Sequence, residues 1–302
     1  MLNFVDINSK KKAMIKKMNV ALLLLVLLTL SCSSDDNNVD SDDLVLNLNG
    51  LEALGDDFVY EGWIIVDGSP ISTGTFSSVT FPQSFSVNAD QLRTATTFVL
   101  SIEPAVDPDP APADTKLLVG DFNGDMATVN SANLVGDFST ATGRYILATP
   151  TDTDDMNEES GVWFLDNSGG SAVSGLDLPD LSDGWKYEGW AVINGMPIST
   201  GTFINVNGFD DNAMSSPFKG DAGDGPAFPG EDFLQNAPAG LSFPTDLRGS
   251  TIVISVEPNP DNSVLPFTLK PLAHMVPTNA VTHTTIMMNS GPVVSLSGTV
   301  SR

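Results

Sequence analysis

The chain has 302 residues, of which 41% are hydrophobic and 17% are charged, and its formal net charge is −25. A surface this acidic repels nucleic acid and anionic lipid headgroups, so nucleic-acid binding and a basic membrane-binding patch are excluded as functions. The apolar residues fall in short, regular runs, which indicates a packed fold of one or two domains rather than a disordered chain.

The first 31 residues have the pattern of a secretory signal peptide. Five lysines lie between Lys10 and Lys17, and a run dominated by Leu, Val and Ala follows from Val20 to Leu30. As a helix this run spans at most about 20 Å, which is short of the roughly 30 Å apolar core of a bilayer. We therefore expect residues 1–31 to be a lipoprotein signal peptide rather than a membrane span. The true start codon is left open.

Cys32 is the only cysteine of the chain, and it lies where a bacterial lipoprotein carries its acylated residue. The segment from Leu28 to Cys32 resembles a lipobox, with the small residue Ser31 directly before the cysteine. We predict a covalent lipid on Cys32 that anchors the protein to a membrane. An uncleaved anchor or a non-lipidated signal is the alternative. Cleavage removes five of the 13 bases and only one of the 38 acids, so the net charge becomes −29.

Residues 32–43 are rich in Ser, Asp and Asn, a composition typical of a flexible, solvated tether. The segment from Ser33 to Asp36 resembles the export signal of Bacteroidetes surface lipoproteins. The resemblance implies a location in the bacterial cell envelope, lipid-anchored at the outer membrane. Whether the protein faces the periplasm or the cell surface is left open.

The rest of the chain contains an internal repeat. Tyr60 to Trp63 recurs as Tyr187 to Trp190, and Ile71 to Phe76 recurs as Ile198 to Phe203. Both pairs are separated by the same offset of 127 residues. Matches of this length at one offset indicate duplication rather than chance.

A second pair of motifs has a larger offset. Ser101 to Pro104 returns as Ser255 to Pro258, 154 residues later, so the second copy is 27 residues longer between the two motifs. We predict one β domain over residues 44–140 and a second over residues 141–302. The extra residues form an insertion at about 205–231.

Each copy consists of short apolar runs separated by turn residues. Asp67-Gly68 and Asn194-Gly195 each lie between two such runs, and both dipeptides favour the positive φ angles of a tight hairpin. Two other runs end at Pro104 and Pro258, where proline removes a backbone donor. Further strands are expected over residues 144–148, 162–165 and 293–300. The pattern predicts an all-β fold of two tandem antiparallel β-sandwich-like domains, without long helices after the signal.

Several motif residues of the second copy resemble a known family: Leu178-Pro179-Asp180-Leu181, Gly184, Tyr187, Trp190, Gly201-Thr202-Phe203, the run Ile254 to Pro258, and Pro266. Their counterparts in the first copy are Leu51, Leu54, Tyr60, Trp63, Gly74 and Glu103-Pro104. Together they resemble the extracytoplasmic C-terminal domain of anti-sigma-K factors, over most of residues 44–300 and more strongly in the second copy.

The resemblance implies a β fold and a location in the cell envelope. Members of the family carry a cytoplasmic sigma-binding segment and a membrane helix before this domain, whereas about 17 residues precede the apolar run here. We therefore expect a non-enzymatic, lipid-anchored protein that acts in binding or assembly, with an envelope protein or a glycan as its partner. The alternatives are a regulatory, anti-sigma-related envelope sensor and a glycan-binding accessory lipoprotein.

The sequence offers few residues for catalysis. Its two histidines, His274 and His283, have no cysteine near them and lack metal-ligand spacing. It contains no nucleophile-elbow motif, and Cys32 is assigned to the lipid anchor. We predict no catalytic residue, no enzyme activity and no metal site of the histidine type.

Besides the covalent lipid, the sequence suggests one cofactor, a calcium ion. Asp121, Asn123 and Asp125 place oxygen ligands at alternate positions around a glycine, as calcium loops do, although the distal glutamate of an EF-hand is missing. The alternative is that these side chains are simply solvated.

The repeated aromatic and acidic residues allow two further hypotheses. In each copy the tyrosine and tryptophan of the repeated motif are three residues apart, so they point to opposite faces of a strand, and one should belong to the core while the other is more exposed. An exposed Trp63 or Trp190 could stack on a sugar, and the alternative is that both belong to the core. Glu103 and Glu257 are expected to hold turn backbone at the strand ends, with a general-acid role as the other possibility.

Overall fold

The computed structural model describes residues 40–260 and 263–302. The signal peptide, Cys32 and most of the tether lie outside the described residues. The strands are β1 (Ser41–Asn49), β2 (Phe58–Val66), β3 (Ser69–Phe76), β4 (Gln83–Asn88), β5 (Thr97–Pro104), β6 (Lys116–Asn123), β7 (Met126–Asn130), β8 (Thr142–Leu147), β9 (Gly161–Trp163), β10 (Leu165–Asp166), β11 (Val173–Ser174), β12 (Leu176–Asp177), β13 (Trp185–Ile193), β14 (Met196–Phe203), β15 (Gly230–Asp232), β16 (Thr251–Pro258), β17 (Lys270–Met275), β18 (Ile286–Met287), β19 (Asn289–Val293) and β20 (Ser297–Ser301).

The all-β prediction is confirmed, and every strand pairing found is antiparallel. Helical structure in the described residues is limited to α1 (Ala89–Thr94) and a 3₁₀ turn at Glu158–Ser160. Asn88 caps α1, since its Oδ1 accepts a hydrogen bond from Gln91 N over 2.9 Å. The helix is shorter than the window in which a helical period becomes visible.

The first sheet has eight strands in the order β3-β2-β5-β6-β7-β20-β1-β4. It curls so far that Phe76 on one edge strand contacts Phe85 on the other, with ring centroids 5.5 Å apart and ring planes tilted by 50°. The strand predicted near the end of the second copy lies here, since β20 pairs with both β1 and β7. The chain therefore returns to its first sheet at residues 297–301.

The second sheet has five strands in the order β14-β13-β16-β17-β19, which repeats the order β3-β2-β5-β6-β7. The two sheets also share their irregularity: the register shifts between Gly62 and Trp63 in one and between Gly189 and Trp190 in the other. A third sheet of shorter strands has the order β12-β8-β9-β15, with β18 beside β8. Its strands β8, β9 and β12 precede the second sheet in sequence, whereas β15 and β18 lie between strands of that sheet.

The predicted hairpins form at both turn dipeptides. Asp67 and Gly68 have φ angles of 50° and 78°, and Asn194 and Gly195 have φ angles of 53° and 82°. These angles are those of a type I′ turn, whose twist matches that of the flanking strands. Different residues thus encode the same connection twice.

Packing requires a glycine at position 62 and at its counterpart 189, the third residues of the two Tyr-Glu-Gly-Trp motifs. A Cβ atom on Gly62 would lie 2.5 Å from Thr73 Oγ1, and one on Gly189 would lie 2.2 Å from Thr200 Oγ1. The two threonines are the extra residues of the β-bulges, so the bulge and the glycine opposite it require each other.

One hydrophobic core extends through both sheets and the strands between them. Tyr60 stacks on Phe76 and Tyr187 stacks on Phe203, with ring centroids 5.5 Å and 5.6 Å apart.

The predicted strand at 162–165 is interrupted at Phe164, whose backbone N–H donates to Pro229 O instead. In the described residues, no helix has the length and apolar character needed to cross a membrane.

Candidate functional site

A groove of about 570 Å³ lies between the two repeats. The residues that line it are Glu52, Ala53, Leu54, Gly55, Asp56, Asp57, Phe58, Ile102, Pro104, Ala113, Asp114, Thr115, Glu257, Pro258, Asn259, Pro260, Ser263, Val264, Leu265 and Phe267. They come from the segment before β2, from the loop after β5 and from the loop after β16. We refer to this cavity as the inter-repeat groove.

The segment before β2 is fixed in place by its backbone. Tyr60 donates its hydroxyl hydrogen to Glu52 O over 2.8 Å, and Ala105 N–H donates to Asp57 O over 2.8 Å. Tyr187 holds the equivalent segment of the second repeat through Pro179 O, at 2.6 Å. In each repeat the tyrosine therefore fastens the segment before its strand to the core.

A buried chain of hydrogen bonds holds the loop after β5. Trp63 Nε1–H donates to Ser101 Oγ over 2.8 Å, and Ser101 donates in turn to Glu103 Oε1. Glu103 also accepts Ala113 N–H over 2.9 Å, which fastens the far end of the loop. Burial raises the pKa of Glu103, and the hydrogen bonds from Ser101 and Ala113 oppose that rise.

The second repeat builds the same chain around the other side of the groove. Trp190 Nε1–H donates to Ser255 Oγ over 2.8 Å, and Ser255 donates to Glu257 Oε1. Glu257 accepts Phe267 N–H over 2.9 Å. The expectation that Glu103 and Glu257 hold turn backbone is confirmed, and both turns belong to the walls of the groove.

Two hydrogen bonds and one close approach lie beside the groove. Thr268 Oγ1 donates to Gly50 O over 2.9 Å and so joins the two repeats, whereas Asn259 N–H donates to Gly184 O over 2.8 Å within the second repeat. Gly184 has a φ of 85°, and a Cβ atom there would lie 2.6 Å from the backbone of Asp114. Only glycine fits this approach between the two repeats.

The groove has apolar walls and an acidic rim. Phe58, Ile102 and Phe267 supply buried or half-buried apolar surface. Val264 and Leu265 continue that surface outward, with 81% and 58% of their area exposed. The lining contains five acidic residues and no basic residue. An apolar molecule or side chain is the natural occupant of such a surface.

The rim acids Asp56 and Asp114 are both exposed. In the described part of the chain, neither carboxylate forms a hydrogen bond or ion pair with the protein. They are therefore open to a bound group at the mouth of the groove.

The prediction that one aromatic residue of each repeated pair is exposed is wrong. Trp63 and Trp190 are only 3% and 2% exposed, and Tyr60 and Tyr187 are buried as well. Both faces of β2 and β13 are covered at this point, so pointing to opposite faces does not bring either ring to solvent. Trp63 and Trp190 therefore offer no platform for stacking on a sugar, and each instead donates to a buried serine.

The proposed calcium residues lie at the β6–β7 hairpin. Asp121, Asn123 and Asp125 are exposed there, and Asp121 Oδ1 accepts a hydrogen bond from Thr97 Oγ1 over 2.7 Å. The guanidinium of Arg302 donates to Gly124 O over 2.9 Å and lies over the Phe122 ring. A protein cation thus already contacts this turn. In the described residues, no group of three or more His, Cys, Asp or Glu side chains is placed to hold a metal ion.

The two histidines do not line the groove and have separate partners. His274 Nδ1 shares a hydrogen bond with the Tyr145 hydroxyl at 2.9 Å, and His283 Nε2 lies 3.2 Å from Glu158 Oε2. Burial lowers the pKa of His274.

The sequence indicates an acidic loop from Asp221 to Asp232 that could gather carboxylates, but it does not predict that three acids in and beside this part of the second repeat are buried. Asp210, Glu231 and Asp232 are at most 6% exposed. Burial raises the pKa of Glu231 to about 8 and the pKa values of Asp210 and Asp232 to about 6. Asp232 accepts hydrogen bonds from Trp163 Nε1 and Thr151 N over 2.7 Å and 2.9 Å. These acids fasten the insertion to the third sheet.

Sequence reasoning also missed the inter-repeat groove. The signal available was the pair of proline-containing loops after Pro104 and Pro258, the second of which carries two adjacent apolar residues, Val264 and Leu265. An apolar pair in a loop is a local hint of a binding surface, but the wall opposite comes from residues about 200 positions earlier.

The fold and the groove define an all-β protein with a duplicated sheet. Residues 37–115 match the family model described as "Anti-sigma-K factor rskA, C-terminal". The match covers about a quarter of the chain and falls on the first repeat, although the motif resemblance is more extensive in the second. No curated protein and no solved structure shows significant similarity to the chain.

Proposed function

We propose that this protein is a non-enzymatic binding protein of the bacterial cell envelope, anchored by a lipid on Cys32 and built from two anti-sigma-K-like β domains. The family match supports the domain type for the first repeat. For the second repeat, the support is the identical strand order and the identical position of the register shift. Binding takes place in the inter-repeat groove.

The groove is the observation that carries the proposal. Its volume of about 570 Å³ lies within the range of ligand sites, and both repeats contribute to its walls. The two glutamates held by serine and tryptophan fix the loops on either side, so the groove is formed before a ligand arrives. A rigid site reduces the entropic cost of binding.

The neutral apolar dye Nile red is a probe for this site. We expect saturable binding with one dye per protein, and we expect Ala53→Trp to abolish it because the indole fills the groove from an exposed lining position. Ala172→Trp is the matched control, since Ala172 is exposed outside the groove lining. Fluorescence titration measures both. Absence of saturable binding to the unaltered protein, or unchanged binding to Ala53→Trp, would show that the groove is not a binding site.

The anchor is tested by fractionation of cells that produce the full chain. Cys32→Ala removes the only thiol that can accept a diacylglycerol, so the variant is expected in the soluble fraction while the unaltered protein sediments with membranes. Metabolic labelling with a radioactive fatty acid should mark only the unaltered protein. Membrane retention of the variant would contradict the anchor.

Regulation of a sigma factor in trans is the second candidate, and the match of residues 37–115 to the anti-sigma-K model favours it. It predicts that the protein co-purifies with an inner-membrane regulator. Degradation of the protein by protease added to intact cells would contradict it, because a protein exposed at the cell surface has no access to the inner membrane.

A further inference from the structure

We infer that the inter-repeat groove recognises a segment of a partner protein in which apolar side chains alternate with lysine or arginine. The inference rests on the proposed function, since it names the occupant of the same groove. Three observations carry it: the apolar walls, the acidic rim, and the apolar surface that continues beyond the cavity.

The walls and rim require two properties in one occupant. Phe58, Ile102 and Phe267 favour an apolar group, whose burial is driven by removal of apolar area from water. Asp56 and Asp114 at the mouth favour a positive charge beside that group, because their carboxylates form no hydrogen bond or ion pair with the described residues. The two lysines next to the lining, Lys116 and Lys270, donate to the backbone at Ala113 O and Phe267 O. Complementary charge at a rim contributes to specificity and association rate more than to affinity.

The negative charge of the rim excludes two occupants that consist of this chain itself, its tether and a second copy. The tether around residues 32–43 carries several aspartates and no lysine or arginine, so it would bring negative charge to an acidic rim. A second copy of the chain has the same drawback, because the formal net charge is −25. The occupant is therefore a different molecule with positive charge.

The extent of the apolar surface favours a peptide over a small lipophilic cation. Val264 and Leu265 are 81% and 58% exposed although they line the groove, so apolar surface extends past the enclosed volume. A single small molecule held in the cavity would leave these side chains in water. A peptide segment that crosses the groove covers them and places its basic side chains at the rim.

The test uses two labelled eight-residue peptides, one alternating leucine with lysine and the other alternating leucine with glutamate. Binding to the full chain is measured by fluorescence anisotropy at about 0.15 M ionic strength, where long-range charge effects are screened beyond about 8 Å. We expect the lysine peptide to bind at least about tenfold more tightly than the glutamate peptide. We also expect Ala53→Trp to abolish its binding.

A pair of double variants separates rim recognition from general attraction to an acidic protein. Asp56→Asn with Asp114→Asn is expected to weaken binding of the lysine peptide about fivefold, as the loss of two exposed ion pairs implies. Asp155→Asn with Asp221→Asn changes the net charge equally at exposed positions outside the groove, and it should weaken binding less than about twofold. Equal weakening by both double variants, or equal affinity for both peptides, would overturn the inference.

The Nile red titration distinguishes the two possible failures. If the dye binds in the groove but the lysine peptide neither binds nor displaces it, the inference fails and the proposed function stands. The same holds if dodecylammonium displaces the dye and the lysine peptide does not, because the site then accepts a small cation. If neither dye nor peptide binds, the proposed function fails as well.

Discussion

The side chains of Trp63, Ser101 and Glu103 form a hydrogen-bonded chain in which the serine accepts from the indole and donates to the carboxylate. All three are buried. Removing the serine hydroxyl leaves the buried indole N–H without its acceptor and takes one hydrogen bond from Glu103, which keeps Ala113 N–H. An unsatisfied buried donor costs more than a typical hydrogen bond contributes. The repeat of this chain around Ser255 makes the effect testable twice in one molecule.

We predict that Ser101→Ala lowers the free energy of unfolding by about 2 kcal/mol, and that Ser255→Ala has a similar effect. Ser77→Ala is the control, since Ser77 is exposed and should change stability by less than about 0.5 kcal/mol. Urea unfolding followed by tryptophan fluorescence measures all three variants. A stability loss at Ser101 no greater than at Ser77 would contradict the role of the hydrogen-bonded chain.

Residue-level features were predictable where the backbone geometry is local. Asp67-Gly68 and Asn194-Gly195 predict their hairpins because the turn itself demands positive φ. Glu103 was predicted to hold turn backbone, although its serine and tryptophan partners were not. The exposure of Trp63 was wrongly predicted because alternation along a strand gives the side of the sheet but not what covers that side.

At the scale of the elements, β20 is placed by pairing rather than by sequence proximity. Leu46 on β1 lies opposite Val300 on β20, and β7 pairs with the other edge of β20. The pattern of residues 293–300 predicted a strand there but assigned it to the second copy. An apolar strand carries no local signal for its partner when that partner is about 250 residues away, so the pairing was beyond sequence reasoning.

We predict that Val300→Ala lowers the free energy of unfolding by about 2 kcal/mol, because Val300 is fully buried and the truncation leaves a cavity. Thr299→Ala on the same strand is the matched control and should cost less than about 1 kcal/mol, since Thr299 is partly exposed. Thermal unfolding followed by circular dichroism measures the difference. Equal losses at the two positions would show that β20 does not contribute to the core of the first sheet.

At the scale of the whole molecule, burial raises the pKa values of three acids in a strongly acidic chain. Asp210, Glu231 and Asp232 lie in the interior of a chain whose formal net charge is −25. Their pKa values in the folded state, about 6, 8 and 6, are above the values of about 4 expected in the unfolded chain. Between about pH 4 and pH 8 the folded state therefore binds more protons than the unfolded state.

The free energy of unfolding should consequently be highest near pH 4.5 and should fall by a few kcal/mol as the pH rises to 8. Glu231→Gln should remove much of this slope, because the amide does not ionise. Asp221→Asn, at an exposed position of the same insertion, should leave the slope unchanged. Chemical unfolding at half-unit pH intervals measures the slope, and a stability that rises toward pH 8 would contradict the prediction.

The inter-repeat groove belongs to the same scale, and it explains why the site was less predictable than the fold. Repeated motifs and turn dipeptides identify the two sheets from sequence alone. The groove arises only when the loop after β16 meets the segment before β2, and its walls depend on contacts such as Thr268 Oγ1 with Gly50 O. No sequence pattern within either repeat predicts the contact between these two segments.

The position of β20 has a consequence for how the chain acquires its structure after synthesis. The protein is made from its N-terminus, yet β1 and β7 gain their common neighbour only when residues 297–301 are available. Until then each of the two strands has one edge of unpaired backbone N–H and C=O groups, which can pair with other chains. Loop closure over such a distance is slow. The newly made chain would thus remain accessible to chaperones until its final strand is available.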